Sequence, residues 1–293
     1  MRTLLLQLDS SPHPSVFDRV VALDAGAEVV MSYGGVTADA VRDLVHGVIF
    51  TRGPKDLRHS AIFIGGSDMA IGERMLAAVR KSFFGPLKAS VMLDSNGSNT
   101  TAAAAVAKLQ QAVGSVKGRR ALVTAATGPV GMRAAGLLAK AGADVTVTSR
   151  RADRVAEAAG AIAQRFGGAV RGVAVTDPSE AAAALDGVEL LISAGPAAVR
   201  LLPRSSWSSR SGLRAAADLN AVPPLGVEGI EVTDDGVDRD GVTVFGALGV
   251  GGLKMKIHKA CIARLFERND LLLDAEAIAE IAADLATSRP QSA

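Results

Sequence analysis

One cysteine in 293 residues, Cys261, is too few for an internal disulfide or a thiolate metal cage. That content fits a reducing, cytoplasmic compartment, and the apolar run around Cys261 makes the thiol a buried, inert one. Charge of one sign is also lacking. Lys+Arg 32 against Asp+Glu 30 leave a net charge of +2, and no block of basic residues stands anywhere. Neither nucleic acid nor an anionic membrane is therefore expected as a partner, and any anion must be met by a local site. No apolar run reaches the roughly 18 residues that span a bilayer. Gln7 and Asp9 cut short the N-terminal run before a secretory core is complete, so residues 1–8 read as a first strand. The sequence holds no metal-ligand cluster, no Ser/His/Asp arrangement and no internal repeat. What it does hold, 48% hydrophobic and 21% charged residues over this length, is the balance of a globular enzyme with room for two domains.

Short apolar runs rich in β-branched residues alternate with helical patterns, the signature of an α/β fold with parallel sheets and crossover helices. In the first part, strands are expected at residues 4–8, 28–31, 47–51, 61–64 and 89–93. Helices are expected over 14–24, 37–46 and 68–83, with Pro14 suited to a first turn. An alanine-rich helix, 101–113, leads to strands at 120–125, 144–148, 169–175, 189–192 and 213–219. Residues 220–226 carry two prolines, Pro223 and Pro224, and form an ordered loop at a strand's end. The stretch 231–241 is acidic and turn-like. Helices over 253–266 and 274–286 close the chain, and its last polar residues fray. Two α/β domains follow: residues 1–100, completed by C-terminal helices within 253–293, and residues 101–252, a Rossmann-type sheet, with a cleft between them.

The strongest chemical signal is the run from Ala121 through Thr127, Gly128, Pro129, Val130 and Gly131 to Ala139. A strand enters a tight turn and leaves as a helix, which aims free N–H groups and the positive helix end at a pyrophosphate. The spacing is that of GxGxxG with Ala126 in the first place, and its context, a strand before and a second strand ending about twenty residues on, strengthens it. That second strand selects the cofactor. An NAD site presents an acid there; here the strand runs into Ser149, Arg150 and Arg151, with Arg154 on the following helix, a set suited to the 2′-phosphate of NADP. NAD remains a possible second cofactor. Ser193, Ala194 and Gly195 follow the strand at 189–192 with small residues that let a cofactor approach, and the loop opened by Asn220 joins them in the cofactor set.

Several segments resemble the bacterial methylene-tetrahydromethanopterin dehydrogenases: Pro14 to Asp18, Thr51-Arg52-Gly53, Gly65 to Ala70, Phe84-Gly85-Pro86, Met92 to Ala104, Thr127 to Arg133 and Phe245 to Lys254. They lie in both expected domains. The resemblance implies hydride transfer from the methylene carbon of a reduced pterin carrier, tetrahydromethanopterin or also tetrahydrofolate, to NADP in one-carbon oxidation. It implies a homo-oligomer, with a trimer as the natural guess. Hydride leaves a carbon flanked by two nitrogens that share the remaining charge, so the step needs neither a metal nor a proton-abstracting base. Positioning and water exclusion can supply about 7 to 11 kcal/mol at best.

On the substrate side, Asp94, Asn96 and Asn99 lie beyond a strand's end, where open sheets gather ligands, and they match the donors and acceptors of a pterin. Capping of the next helix is the competing role for Asn99 and Thr100. Phe17 would cover the pterin face according to the resemblance; from its helical position alone it reads as core. Lys254 is expected in a first helical turn, where a cation opposes the helix dipole. That unfavourable place, with the resemblance, marks it as the catalytic residue, contacting the pterin carbonyl or the carrier's tail; Lys256 and His258 read as bland. Two other readings stand beside this one, an NADP-dependent reductase of the shikimate dehydrogenase type and a non-enzymatic NADP-binding redox sensor.

Overall fold

The computed structural model describes residues 1–287, so the expected fraying of the last polar residues lies outside the described part. In chain order the elements are β1 (Leu4–Leu8), α1 (Val16–Asp24), β2 (Val29–Tyr33), α2 (Val41–Ile49), β3 (Ser60–Ile64), α3 (Met69–Ser82), β4 (Ser90–Leu93), α4 (Ser98–Val113), β5 (Arg120–Thr124), α5 (Pro129–Lys140), β6 (Asp144–Ser149), α6 (Ala152–Phe166), β7 (Val170–Ala174), α7 (Pro178–Ala184), β8 (Leu190–Ser193), β9 (Ala215–Asp218), β10 (Asp235–Arg239), β11 (Val242–Phe245), α8 (Ala247–Arg264), β12 (Leu272–Leu273) and α9 (Ala275–Thr287). The chain divides into two compact units: residues 1–100 with 255–281, and residues 101–254 with 282–287.

In the first unit the sheet has the order β12-β4-β3-β1-β2, all parallel. Read from the other edge this is 2-1-3-4-5, whose order reverses between β1 and β3, the place where such sheets bind ligands at their carboxyl ends. Leu6, Leu8, Ile62, Ile64 and Leu93 pack with Val41, Val45, Val48 and Ile49 of α2 and Met75 and Val79 of α3. Each such side chain, fully buried, contributes about 1.5 to 3 kcal/mol of transfer free energy.

The second unit has a seven-stranded sheet, β10-β11-β9-β8-β5-β6-β7. Counted from β5, strands β7 to β11 give the Rossmann order 3-2-1-4-5-6, and only the β10 edge is antiparallel. Its reversal lies between β5 and β8. Trp207, Leu213, Val227, Ile230 and Val244 fill a core beneath β8 and β9, and the Trp207 indole N–H donates to the Glu228 carbonyl at 3.0 Å.

The sequence expectations need correction in four places. Residues 47–51 form no strand: Val45, Val48 and Ile49 continue the buried face of α2 at helical spacing. The stretch 231–241 is not merely a turn, because β10 pairs with β11 around Asp240 and Gly241, both at positive φ, +56° and +80°. Helix α7 and the short β12 were not anticipated; Asp177 caps α7 by accepting from Ser179 and Glu180 N–H. Finally α8 starts at Ala247, six residues before the expected position. Within the added turns Gly249 lies where a Cβ would stand 2.1 Å from the Asp234 carbonyl oxygen.

Candidate cofactor and substrate sites

Strand β5 ends at Thr124, and Ala125 turns the chain at φ +52°, a left-handed conformation that costs a non-glycine residue roughly 1 kcal/mol. Two hydrogen bonds fix the turn to its neighbours: Ala126 N–H donates to the Thr148 carbonyl at 2.9 Å and Ala194 N–H to the Thr124 carbonyl at 3.3 Å. Gly131 has no room for a side chain, since a Cβ there would stand 2.8 Å from the Ala126 Cα and 3.3 Å from the Ala194 Cβ. Gly128, in contrast, has open space where its Cβ would be. The helix thus closes onto the sheet through Gly131 while the backbone at Gly128 stays approachable. The first helical hydrogen bond is Met132 N–H to the Gly128 carbonyl, which leaves the N–H groups of Thr127, Gly128, Val130 and Gly131 without an acceptor among the described residues. Such a cradle of unmatched donors at a helix start suits a pyrophosphate.

Beyond β6 the three arginines differ. Arg151 grips Asp153, Nε to Oδ1 at 3.1 Å, and the Asp153 carboxyl is held at a pKa of about 2, first by that side-chain bond. Arg154 lies 3.7 Å from Glu157. Arg150 is exposed and pairs with no group among the described residues. Ser149 is partly buried, its hydroxyl 3.5 Å from the Arg151 N–H. Of the basic residues expected to meet a 2′-phosphate, Arg150 is the one whose charge is not already matched.

At the other half of the sheet's carboxyl edge, Thr124, Ser193 and Asp218 are successive partners across β5, β8 and β9. Sequence reasoning named only Ser193; Thr124 and Asp218, at strand ends beside it, carried the same signal. Thr124 Oγ1 and Ser193 Oγ are buried with no hydrogen-bond partner among the described residues. Asp218, 1% exposed, accepts N–H bonds from Val227 at 2.9 Å and Asn220 at 3.2 Å. Burial pushes its pKa above the usual carboxylate range, against the N–H bonds from Val227 and Asn220 that favour the charged form. Asn220 itself folds the following loop: its Oδ1 accepts from Val222 N–H at 2.9 Å and its Nδ2 donates to the Pro224 carbonyl at 3.2 Å. Ala194 and Gly195 are partly buried at the mouth of the same turn.

In the first unit, Asp94 is buried and turned inward. Its Oδ1 accepts from Asn99 N–H at 2.9 Å and Thr100 N–H at 3.0 Å, and its Oδ2 from the Thr100 hydroxyl at 2.6 Å. A carboxylate so placed caps α4 and complements its dipole. Asn99, also buried, donates from Nδ2 to the Leu93 carbonyl and to Asp274. Asn96 differs: it takes φ +55° and is exposed, with its N–H held by the Gly66 carbonyl at 2.6 Å. Phe17 is not core, contrary to its reading from helical position alone. Half of its surface is exposed, and its ring lies 6.3 Å from that of His258, which stacks on Phe63 at 5.5 Å. Lys254 is partly buried and two turns inside α8, so the expectation that it opposes the helix dipole in a first turn fails with the earlier start of that helix.

Comparison with known proteins gives likenesses in sequence and in fold. The family model described as methylene-tetrahydromethanopterin dehydrogenase, N-terminal, matches residues 16–96. The bifunctional protein MdtA of Methylorubrum extorquens is 49% identical over 286 residues, 97% of this chain and 99% of that one. The NAD(P)-dependent methylenetetrahydromethanopterin dehydrogenase of the same organism is 34% identical over 295 residues, with the same shares covered. Among solved structures, shikimate 5-dehydrogenase from Listeria monocytogenes in complex with shikimate and NAD matches with a TM-score of 0.58 at 12% identity over 96% of each chain. The ligand-free 5-ketofructose reductase of Gluconobacter sp. strain CHM43 gives 0.54 at 17%, over 97% of this chain and 99% of that one. At those identities the structural likeness speaks for the fold alone.

Proposed function

The chain belongs to the methylene-tetrahydromethanopterin dehydrogenase family and is an NAD(P)-dependent oxidoreductase acting on a methylene-tetrahydropterin, and on that premise we propose how its residues divide the work. NADP, the preferred cofactor, supplies the ring that takes up the hydride. The Thr127–Gly131 turn holds its pyrophosphate through the unmatched N–H groups, Ser149 and Arg150 take the 2′-phosphate, and Ser193, Ala194 and Gly195 border the nicotinamide half. Arg151 and Arg154, each already beside a carboxylate, contribute less to the 2′-phosphate than Arg150 does, and Asn220 shapes its loop.

On the substrate side, Phe17 offers its half-exposed ring to the pterin face and Asn96 an exposed amide to its edge. Asp94 and Asn99 hold that segment in shape through α4. Lys254 contacts the pterin carbonyl or the carrier's tail; directly beside the nascent methenyl cation an ammonium would raise the barrier. Residues 1–100 with the C-terminal helices serve the pterin and residues 101–252 the cofactor. The protein works in the cytoplasm as a homo-oligomer, a trimer by preference. No helix among the described residues is long and apolar enough to cross a membrane.

The observation that carries NADP over NAD is Arg150, exposed and uncommitted just past β6. The deciding experiment follows NADPH formation from methylene-tetrahydromethanopterin, beside methylene-tetrahydrofolate and with NAD in place of NADP. Turnover with the pterin and NADP is expected; none with any pairing would leave the redox-sensor reading, and faster turnover with NAD would remove the role given to Arg150.

A further inference from the structure

Asp218 is a buried carboxyl group without a cationic partner among the described residues. It is 1% exposed at the carboxyl end of β9, all its hydrogen bonds come from neutral groups, and no lysine or arginine pairs with it among the described residues. A buried carboxylate left without a cation is costly unless it serves something outside the protein. The loop after β9 is built around it. Asn220 and Val227, the loop's two ends, both donate their N–H to it, and a Cβ on Gly226 would stand 2.7 Å from its Oδ1 and 2.5 Å from the Ser193 Oγ. Only glycine permits so close a wrap. In a sheet of order 3-2-1-4-5-6 the second mononucleotide half lies over the fourth to sixth strands, here β8, β9 and β11. The uncompensated carboxylate therefore belongs to the nicotinamide half of the fold.

We propose that Asp218 is a positioning and selecting residue that favours the oxidised, positively charged nicotinamide over the reduced, neutral one. Hydride uptake erases one positive charge from the ring. A fixed negative charge in a poorly solvated place holds the ring better before that step than after it. It thereby tightens NADP⁺ relative to NADPH and speeds release of the reduced product. This rests on the NADP reading above.

The test needs no turnover. Dissociation constants for NADP⁺, NADPH and 2′,5′-ADP, which lacks the nicotinamide, are measured by calorimetry for wild type, Asp218→Asn and Asn220→Ala. Asp218→Asn should change the NADPH/NADP⁺ ratio of dissociation constants by about threefold or more toward NADPH, with 2′,5′-ADP unaffected. Asn220→Ala, which loosens the loop and keeps the charge, should weaken both dinucleotides by one factor. An unchanged ratio in Asp218→Asn overturns the proposal, since a merely structural role moves both constants together. If Asp218→Asn loses 2′,5′-ADP binding and so fails to fold, Asp218→Ser is read by the same criterion. Wild type binding none of the three ligands would instead refute the NADP reading itself.

Discussion

Arg150→Ala should separate the two nicotinamide cofactors. In the structure this guanidinium is exposed, follows β6 and is matched by no carboxylate among the described residues. A hydrogen bond to a charged group contributes roughly 1.5 to 3 kcal/mol when well formed, and exposure with salt screening pulls a surface pair to the lower end. The expected loss is therefore about tenfold in NADP affinity, with NAD changed less than about twofold, because NAD has no 2′-phosphate to lose. Arg151 provides an internal comparison. Its guanidinium already holds Asp153, so Arg151→Ala should cost NADP less than about threefold, whereas Asp153→Asn releases Arg151 and should tighten NADP. Fluorescence titration with NADPH and NADH at two salt concentrations measures all three variants, and the Arg150 effect should shrink at the higher salt. Equal losses for both cofactors in Arg150→Ala, or a larger NADP loss in Arg151→Ala, would show that the 2′-phosphate is met elsewhere.

Gly131→Ala drives a Cβ to 2.8 Å from backbone at Ala126; overpacking of about 1 to 3 kcal/mol should lower the melting temperature and weaken both cofactors alike. Lys254→Ala should reduce turnover at least about tenfold while calorimetry finds NADP affinity nearly unchanged; a collapse of cofactor affinity would reassign the lysine. Asp94→Asn should cost about 1 to 3 kcal/mol in urea unfolding through the lost cap of α4, with the pterin KM moved less than about twofold; a large KM effect at full stability would make Asp94 a direct ligand. For Asp218 the folded pKa is raised by burial above the unfolded value of about 3.9. Its contribution to stability is thus fully present below that unfolded value and is lost as pH rises through the folded one. The stability of wild type relative to Asp218→Asn, followed by urea midpoint, should fall across that window, and a rise would reverse the assigned direction.

The parallel architecture was legible because buried strands announce themselves. Leu4–Leu8, Ser60–Ile64 and Asp144–Ser149 are continuous or nearly continuous in burial, and their apolar runs sit between turn residues. β10 was not legible by that rule, since Asp235–Arg239 is an exposed edge strand with four of its five residues facing solvent. Its one available sign was the Asp240–Gly241 pair, whose positive φ angles fit a two-residue hairpin turn. Residues 47–51 failed the other way: β-branched Val48 and Ile49 resemble a strand when read alone and a helix face once Val41 and Val45 are counted with them.

The candidate sites show where residue type stops being informative. Asp94 and Asn96 stand two positions apart in one polar run and offer the same chemistry to a pterin. The difference between them is geometric: Asp94 is turned onto the first amides of α4, while Asn96 adopts a left-handed conformation that leaves its side chain in solvent. Arg150 and Arg151 repeat the lesson, for Asp153 was in plain view two residues on, yet only the start of α6 at Ala152 brings its carboxylate to Arg151 rather than to Arg150. In both pairs the sequence names a set of donors and acceptors, and the geometry at the neighbouring helix start decides which member is already committed. Because a helix start leaves several N–H groups unmatched and places a positive potential there, acidic residues beside it are drawn into capping first. A polar run that precedes a helix should therefore be discounted at its acids, which the helix takes, and weighted at the amides and cations that remain.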